Sequence, residues 1–171
     1  MSSKFEILMN QLGISDQLRR DPALVDARIE RVVVHKISKI WEFHFVFSNI
    51  LPIEIFLELK KGLGEEFSKT GNRAVFEIKA LSQEFSNELL QAYYREAFSE
   101  GPCASQGFKS LYQNLNVRAE GNQLIIEGSE AIDKEHFKKN HLPNLAKQLE
   151  KFGFPVFVCQ IEKNDALTQE Q

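Results

Sequence analysis

Residues Arg31 to Phe67 read RVVVHKISKIWEFHFVFSNILPIEIFLELKKGLGEEF, and two periods meet in them. As far as Phe47 every second residue is apolar, the mark of a strand with one buried face, and from Pro52 the apolar spacing becomes helical. A turn at Ser38-Lys39 pairs Val34 with Phe43 and Val32 with Phe45, so Val32, Val34, Trp41, Phe43 and Phe45 share one face. A helix opening at Pro52 covers that face with Ile53, Phe56, Leu57, Leu59 and Leu63, and Gly62 and Gly64 weaken its end. After the turn TGNR, the alternating AVFEIKA (74–80) supplies a third strand. The unit reads β-β-α-β.

Upstream, KFEILMNQL carries a helical stripe of Phe5, Leu8, Met9 and Leu12 with Gly13 as its stop. A second short helix starts near Pro22, capped by Asp21. Downstream, Ser82 is placed to cap QEFSNELLQAYYREAF, with Phe85, Leu89, Tyr93 and Phe98 near one side. SEGPCASQG breaks that helix and FKSLYQNL makes a shorter one. Large apolar residues set this stretch apart from a flexible linker.

The opening pattern then recurs. NVRAE and QLIIEG form a hairpin across Gly121-Asn122, with Val117, Ala119, Leu124 and Ile126 on one face. EAIDKEHFKKNHLPNLAKQLEKFGF reads as two helices joined at KKNH, and PVFVCQIEK alternates as a closing strand. A supersecondary repeat is therefore present without close sequence identity. The expected fold class is α+β, with two small modules: 1–81 the first, 82–115 a helical bridge, 116–163 a β-β-α-α-β module, and 164–171 the start of a polar linker.

Composition narrows the function. The 171 residues suit one domain or two small ones. Fourteen phenylalanines point to aromatic-rich cores. No apolar run approaches the roughly 18 residues of a membrane span and MSSKFEIL lacks the regions of a secretory signal, so a cytoplasmic protein is expected. Cys103 and Cys159 form no ligand pattern and are expected to be free thiols. A formal net charge of −3 argues against bulk attraction to phosphate backbones.

Three features carry possible chemistry. His35, Glu42 and His44 fall on the sheet face opposite the core, His35 being paired with Glu42. Two imidazoles and a carboxylate can bind zinc, but their spacing matches no established ligand motif, and no metal is expected. The glycines of GLG and GNQ lie outside any strand-to-helix phosphate loop. The β-β-α-α-β order resembles a type II KH domain, in which a GXXG loop between the helices clamps a nucleic-acid backbone. Lys138-Lys139-Asn140-His141 stands there instead, without the glycines that permit close backbone approach. No Ser/His/Asp, Cys/His or paired-carboxylate arrangement is marked out by its spacing.

Longer segments carry a resemblance to a family. ERVVVHKISKIWEFHF, EIFLELKKGLGEEFSKTGN, YYREAFSEGPCASQGFKSLYQNL and EGSEAIDKEHFKKNHLPNLAKQLEKFGFP resemble the extreme N-terminal region of the PolC-type DNA polymerase III alpha subunit. The resemblance implies a fragment of a replicative DNA polymerase with a 3'-5' exonuclease, without the domains that hold the catalytic aspartates and so without cofactors of its own. It also implies a first module like the C-terminal domain of the clamp-loader tau subunit and a second like a degenerate type II KH domain. Two function classes follow. One is a protein-interaction module for replisome proteins or for other domains of the same chain, using His35, Glu42, His44, Val46 and Ile125 on outer sheet faces. The other is an accessory single-stranded nucleic-acid-binding module using Lys134, Lys138, Lys139, His141 and Lys147. The acidic balance and the missing GXXG favour the first, with weak or no DNA binding.

Overall fold

A computed structural model describes residues 2–99, 104, 109, 112–128 and 142–163. They fall into two units, Met1–Glu84 with Lys151–Phe154, and Phe85–Glu150 with Pro155–Gln171. Each is built on its own three-stranded sheet, as the repeated pattern of alternation predicts.

In the first unit, helix α1 (Ser3–Leu12) starts where the Ser2 hydroxyl accepts from the Phe5 amide and stops at Gly13 in the left-handed region, φ 69°. Helix α2 (Asp16–Arg19) follows. The element at Pro22 is a 3-10 turn, Pro22–Leu24, and the Asp21 carboxylate accepts from the Ala23 amide as its cap. Strands β1 (Arg28–His35) and β2 (Ile40–Phe47) are antiparallel, and β3 (Arg73–Ala80) runs parallel to β2 on its other side.

The hairpin register differs from the expected one by two residues. Val34 faces Trp41, Val32 faces Phe43, and His35 faces Ile40 rather than Glu42. The reason lies in the turn. A two-residue type I′ turn needs positive φ at both positions, and here Lys39 alone of the two adopts it, at φ 57°, so the turn spreads over Lys36–Lys39. A shift of two leaves every side chain on its own face, so the predicted apolar face is preserved. A bulge between Ile29 and Arg31 interrupts the pairing nearer the start of β1.

Helix α3 (Ile53–Ser68) returns the chain from the end of β2 to the start of β3 across that face. It buries Ile55, Phe56, Leu59 and Leu63, while Leu57 points to solvent. Phe56, Leu59 and Leu63 fix the stripe, and the sheet takes Ile55 on one side of it in place of Leu57 on the other. Gly62 does not end the helix. A Cβ there would meet the Leu12 Cβ at 3.1 Å, so the glycine allows α1 close approach to α3. Phe43, Phe45 and Phe47 stack along β2 at centroid spacings of 5.7 and 5.6 Å, and Phe5 of α1 sets its edge on Phe45 and Phe47. Phe152 closes the same core from the segment Lys151–Phe154, 5.0 Å from Phe56.

In the second unit, helix α4 covers Asn87–Glu96 and is capped by Ser86, not Ser82. The earlier start is prevented because the Leu81 and Ser82 amides extend the first sheet's edge, donating to the Phe47 and Ser48 carbonyls. Leu90, Tyr93, Tyr94, Ala97 and Phe98 are buried, and Leu89 is half-exposed. Strands β4 (Asn116–Glu120) and β5 (Gln123–Gly128) form the expected hairpin across Gly121-Asn122, with Ala119 opposite Leu124. Helix α5 (Leu142–Lys151) and strand β6 (Val158–Lys163), parallel to β5, also belong to it, while the helix expected before KKNH and Cys103 lie outside the described residues. Cys159 is a free thiol, and burial pushes its pKa up to about 11, so it is protonated and unreactive at neutral pH.

Candidate interaction surfaces

The outer face of the first sheet gathers charge around one histidine. Period-two alternation sends Glu42 and His44 to the side away from the aromatic core, and Glu77 stands opposite His44 on β3. His44 Nε2 donates to Glu42 Oε2 at 2.8 Å, and His44 Nδ1 lies 3.6 Å from Glu77 Oε2. Lys151 Nζ approaches the other Glu77 oxygen at 3.9 Å. The hydrogen bond from His44 is the main reason the Glu42 carboxyl is held below its ordinary value. Partial burial opposes it, and the charges of His44, His35 and Arg31 assist. His35 is exposed at the edge, beside Ile40. Among the described residues no group of three His, Cys, Asp or Glu side chains is placed to hold a metal ion.

The lowered pKa has a measurable consequence. Because the folded value lies below the ordinary 4.5, the stabilisation is complete above about 4.5 and is lost as pH falls through the folded value. Glu42→Gln should therefore cost about 0.5 kcal/mol at pH 6, the scale of a partly exposed ion pair. The gap to the parent chain should close on acidification. Urea unfolding at pH 6 and pH 3 measures it, and a gap that widens in acid contradicts the assignment.

Two other residues expected on outer faces are covered. Val46 is fully buried, at the end of β2 where Ser48 ties the chain to the Pro22 and Ala23 carbonyls. Ile125 is buried in the middle strand of the second sheet. Its neighbour Arg118 reaches from β4 across β5, pairing with Glu127 at 2.8 Å and with Glu162 of β6 at 2.7 Å. Glu120 accepts from the same guanidinium at 3.3 Å. Ile125, expected on an exposed outer face, is thus buried in a sheet whose β4 and β6 are linked by this ion-pair network.

One edge of the first sheet is apolar and exposed, which alternation in the sequence does not mark. Val32 and Val34 are 40% and 43% exposed although they share the core face, and Ile37 at the hairpin tip is fully exposed. Helix α3 bridges β2 to β3, and Phe5 of α1 packs on Phe45 and Phe47, away from Val34. Alternation cannot reveal this, because it assigns a residue to a face without saying whether its strand lies at the sheet's margin. Arg28, Arg31, Lys36 and Lys39 surround the edge, all exposed.

The corresponding edge of the second sheet is closed. Asn87 Oδ1 accepts from the Ala119 amide at 3.0 Å and Gln91 Oε1 from the Val117 amide at 2.8 Å, while Gln91 Nε2 donates to the Leu115 carbonyl at 2.9 Å. Of the basic set, Lys147 is exposed on α5. Lys134, Lys138, Lys139 and His141 lie outside the described residues.

Residues 4–78 match the family described as DNA polymerase III polC-type N-terminus I, and residues 92–171 match DNA polymerase III polC-type N-terminus II. Over all 171 residues the chain is 86% identical to a DNA polymerase III PolC-type of Streptococcus pneumoniae and 61% identical to that of Streptococcus sanguinis. Over 169 residues it is 41% identical to that of Streptococcus pyogenes. It spans 12% of the length of each of these relatives. No solved structure matches it.

Proposed function

The chain belongs to the PolC-type DNA polymerase III family as its N-terminal region, and from that premise we propose that it is a non-catalytic protein-interaction region of a replicative DNA polymerase with 3'-5' exonuclease activity. The observation that carries this reading is the match of both units to N-terminal descriptions, over 4–78 and 92–171. It acts in the cell interior, on other replisome proteins or on other domains of its own polymerase, and needs no cofactor. The charge supports a protein partner, since a net −3 supplies no general attraction for a phosphate backbone. Among the described residues no helix is long and apolar enough to cross a membrane.

Deleting this region from the full polymerase should leave extension of a bare primed template intact and reduce synthesis coupled to the other replication proteins. Loss of the bare-template activity would overturn the reading.

The second unit's strand order supports its description as a degenerate KH-type module, and exposed Lys147 keeps nucleic acid as the competing ligand. A labelled oligo-dT should bind the chain no more tightly than the roughly 10⁻⁴–10⁻⁶ M of non-specific contacts at physiological salt. Tight binding in fluorescence anisotropy, abolished by Lys138→Ala with Lys139→Ala, would establish a working nucleic-acid site instead.

A further inference from the structure

We propose that the free edge of β1, from Val32 to the hairpin tip at Ile37, is a strand-addition site for an extended acidic segment of another protein. The proposal deepens the protein-interaction reading and rests on it.

β1 is a terminal strand of its sheet, paired to β2 alone, so alternate residues turn N–H and C=O groups away from the sheet. At its beginning the Ser2 amide donates to the Ala27 carbonyl. Beyond that point no hydrogen bond among the described residues reaches β1 from outside the β1–β2 ladder. The contrast with β4 is direct, because there two amide side chains of α4 occupy the Val117 and Ala119 N–H groups. Among the described residues the chain therefore closes one sheet edge and leaves the other available. Open edges in folded proteins are usually blocked, because they template pairing with other chains.

Side chains decide what is added. Val32 and Val34 offer two neighbouring apolar positions on one face, and Ile37 prolongs them, which suits a segment with apolar side chains at alternate positions. Arg28, Arg31, Lys36 and Lys39 are exposed around this row and make no close ion pair among the described residues, and Glu30 is the strand's acidic residue. In a chain of net charge −3, this local cationic strip selects glutamate or aspartate on the incoming strand. A second copy of the chain is disfavoured by the same charges, since self-pairing brings two copies of this cationic strip together.

The test uses the 171-residue chain and a fluorescein-labelled decapeptide of alternating glutamate and valine, with the lysine-valine peptide as comparison. The acidic peptide should bind about five- to tenfold more tightly, the effect of two or three exposed ion pairs. Amide exchange should slow in β1 and not in β4. Methylating alternate backbone nitrogens of the peptide should abolish binding. Arg31→Glu with Lys36→Glu, both at exposed positions, should reverse the peptide preference while leaving the thermal transition in place.

No binding by about 1 mM peptide, or protection appearing away from β1, overturns the proposal. So does a chain dimer that Val34→Glu dissociates, which makes a second copy the occupant. Oligo-dT binding lost in the charge-reversed variant assigns the strip to nucleic acid and overturns it equally. If the peptide fails while deletion of the region still impairs coupled synthesis, the strand-addition site falls and the interaction reading stands.

Discussion

Phe45→Ala should destabilise the first unit by about 3–5 kcal/mol, the usual cost of removing a fully buried phenylalanine. Its ring is 1% exposed and stands at the middle of the aromatic stack. Phe43 and Phe47 lie nearly parallel on either side, while Phe5 and Phe76 meet it edge-on at 5.7 and 5.8 Å. Two elements besides β2 itself, α1 and β3, lose a surface in one substitution. A small domain has about 5–15 kcal/mol in total, so the variant should be largely unfolded in modest urea. Trp41 is the chain's single tryptophan, and it packs 5.2 Å from Phe67 in the same unit. Its fluorescence therefore reports this transition alone. A loss below about 1 kcal/mol would mean that the rings do not form the core. By contrast, Val32→Ala should change the midpoint little, since that side chain is 40% exposed.

The second large effect comes from a residue far along the chain. Phe152→Ala should lower the stability of the first unit by about 3 kcal/mol, read again by Trp41. The Phe152 ring is buried and meets Phe56 of α3 at 5.0 Å and 76°. Gly153 follows at φ 106°, where an added Cβ would lie 3.3 Å from Ile78 and Ala80 side-chain atoms, and its carbonyl accepts from Gln83 Nε2. These contacts belong to the first unit, which is therefore discontinuous in sequence. Residues 1–84 alone should unfold at a lower urea concentration than the same unit in the full chain. An unchanged Trp41 transition in Phe152→Ala would show that Met1–Glu84 is self-sufficient.

The elements were legible where one residue pattern had one structural solution. The Gly121-Asn122 hairpin, with Gly121 at φ 60°, formed with its predicted pairing because a glycine at a two-residue turn leaves little choice. Ser38-Lys39 offered no such constraint, so the faces were readable and the register was not. The α4 start moved to Ser86 because both serines are good caps, and hydrogen bonds to β2 and Ser48 decided between them. Burial at outer-face positions was least legible. Val46 and Ile125 are buried although alternation puts them on outer faces, and the exposure of Val32 and Val34 depends on which strand the helices leave uncovered. For the site, His44 and Glu42 were correctly placed on one face. Their link to Glu77 needed the parallel pairing of β2 with β3, a contact between residues far apart in the chain.

The amide contacts between α4 and β4 act as a vernier. Four residues of helix advance about 6.0 Å, and two residues of strand about 6.7 Å. Asn87 and Gln91 therefore stay in phase with Ala119 and Val117. The two scales run antiparallel and drift by about 0.7 Å per interval, small enough for flexible side chains to absorb over this length. A single inserted residue between Asn87 and Gln91 turns the second amide by about 100° around the helix and off the scale altogether. An insertion in this unit should consequently be tolerated only outside the paired graduations, and the strand and helix must keep their residue counts together.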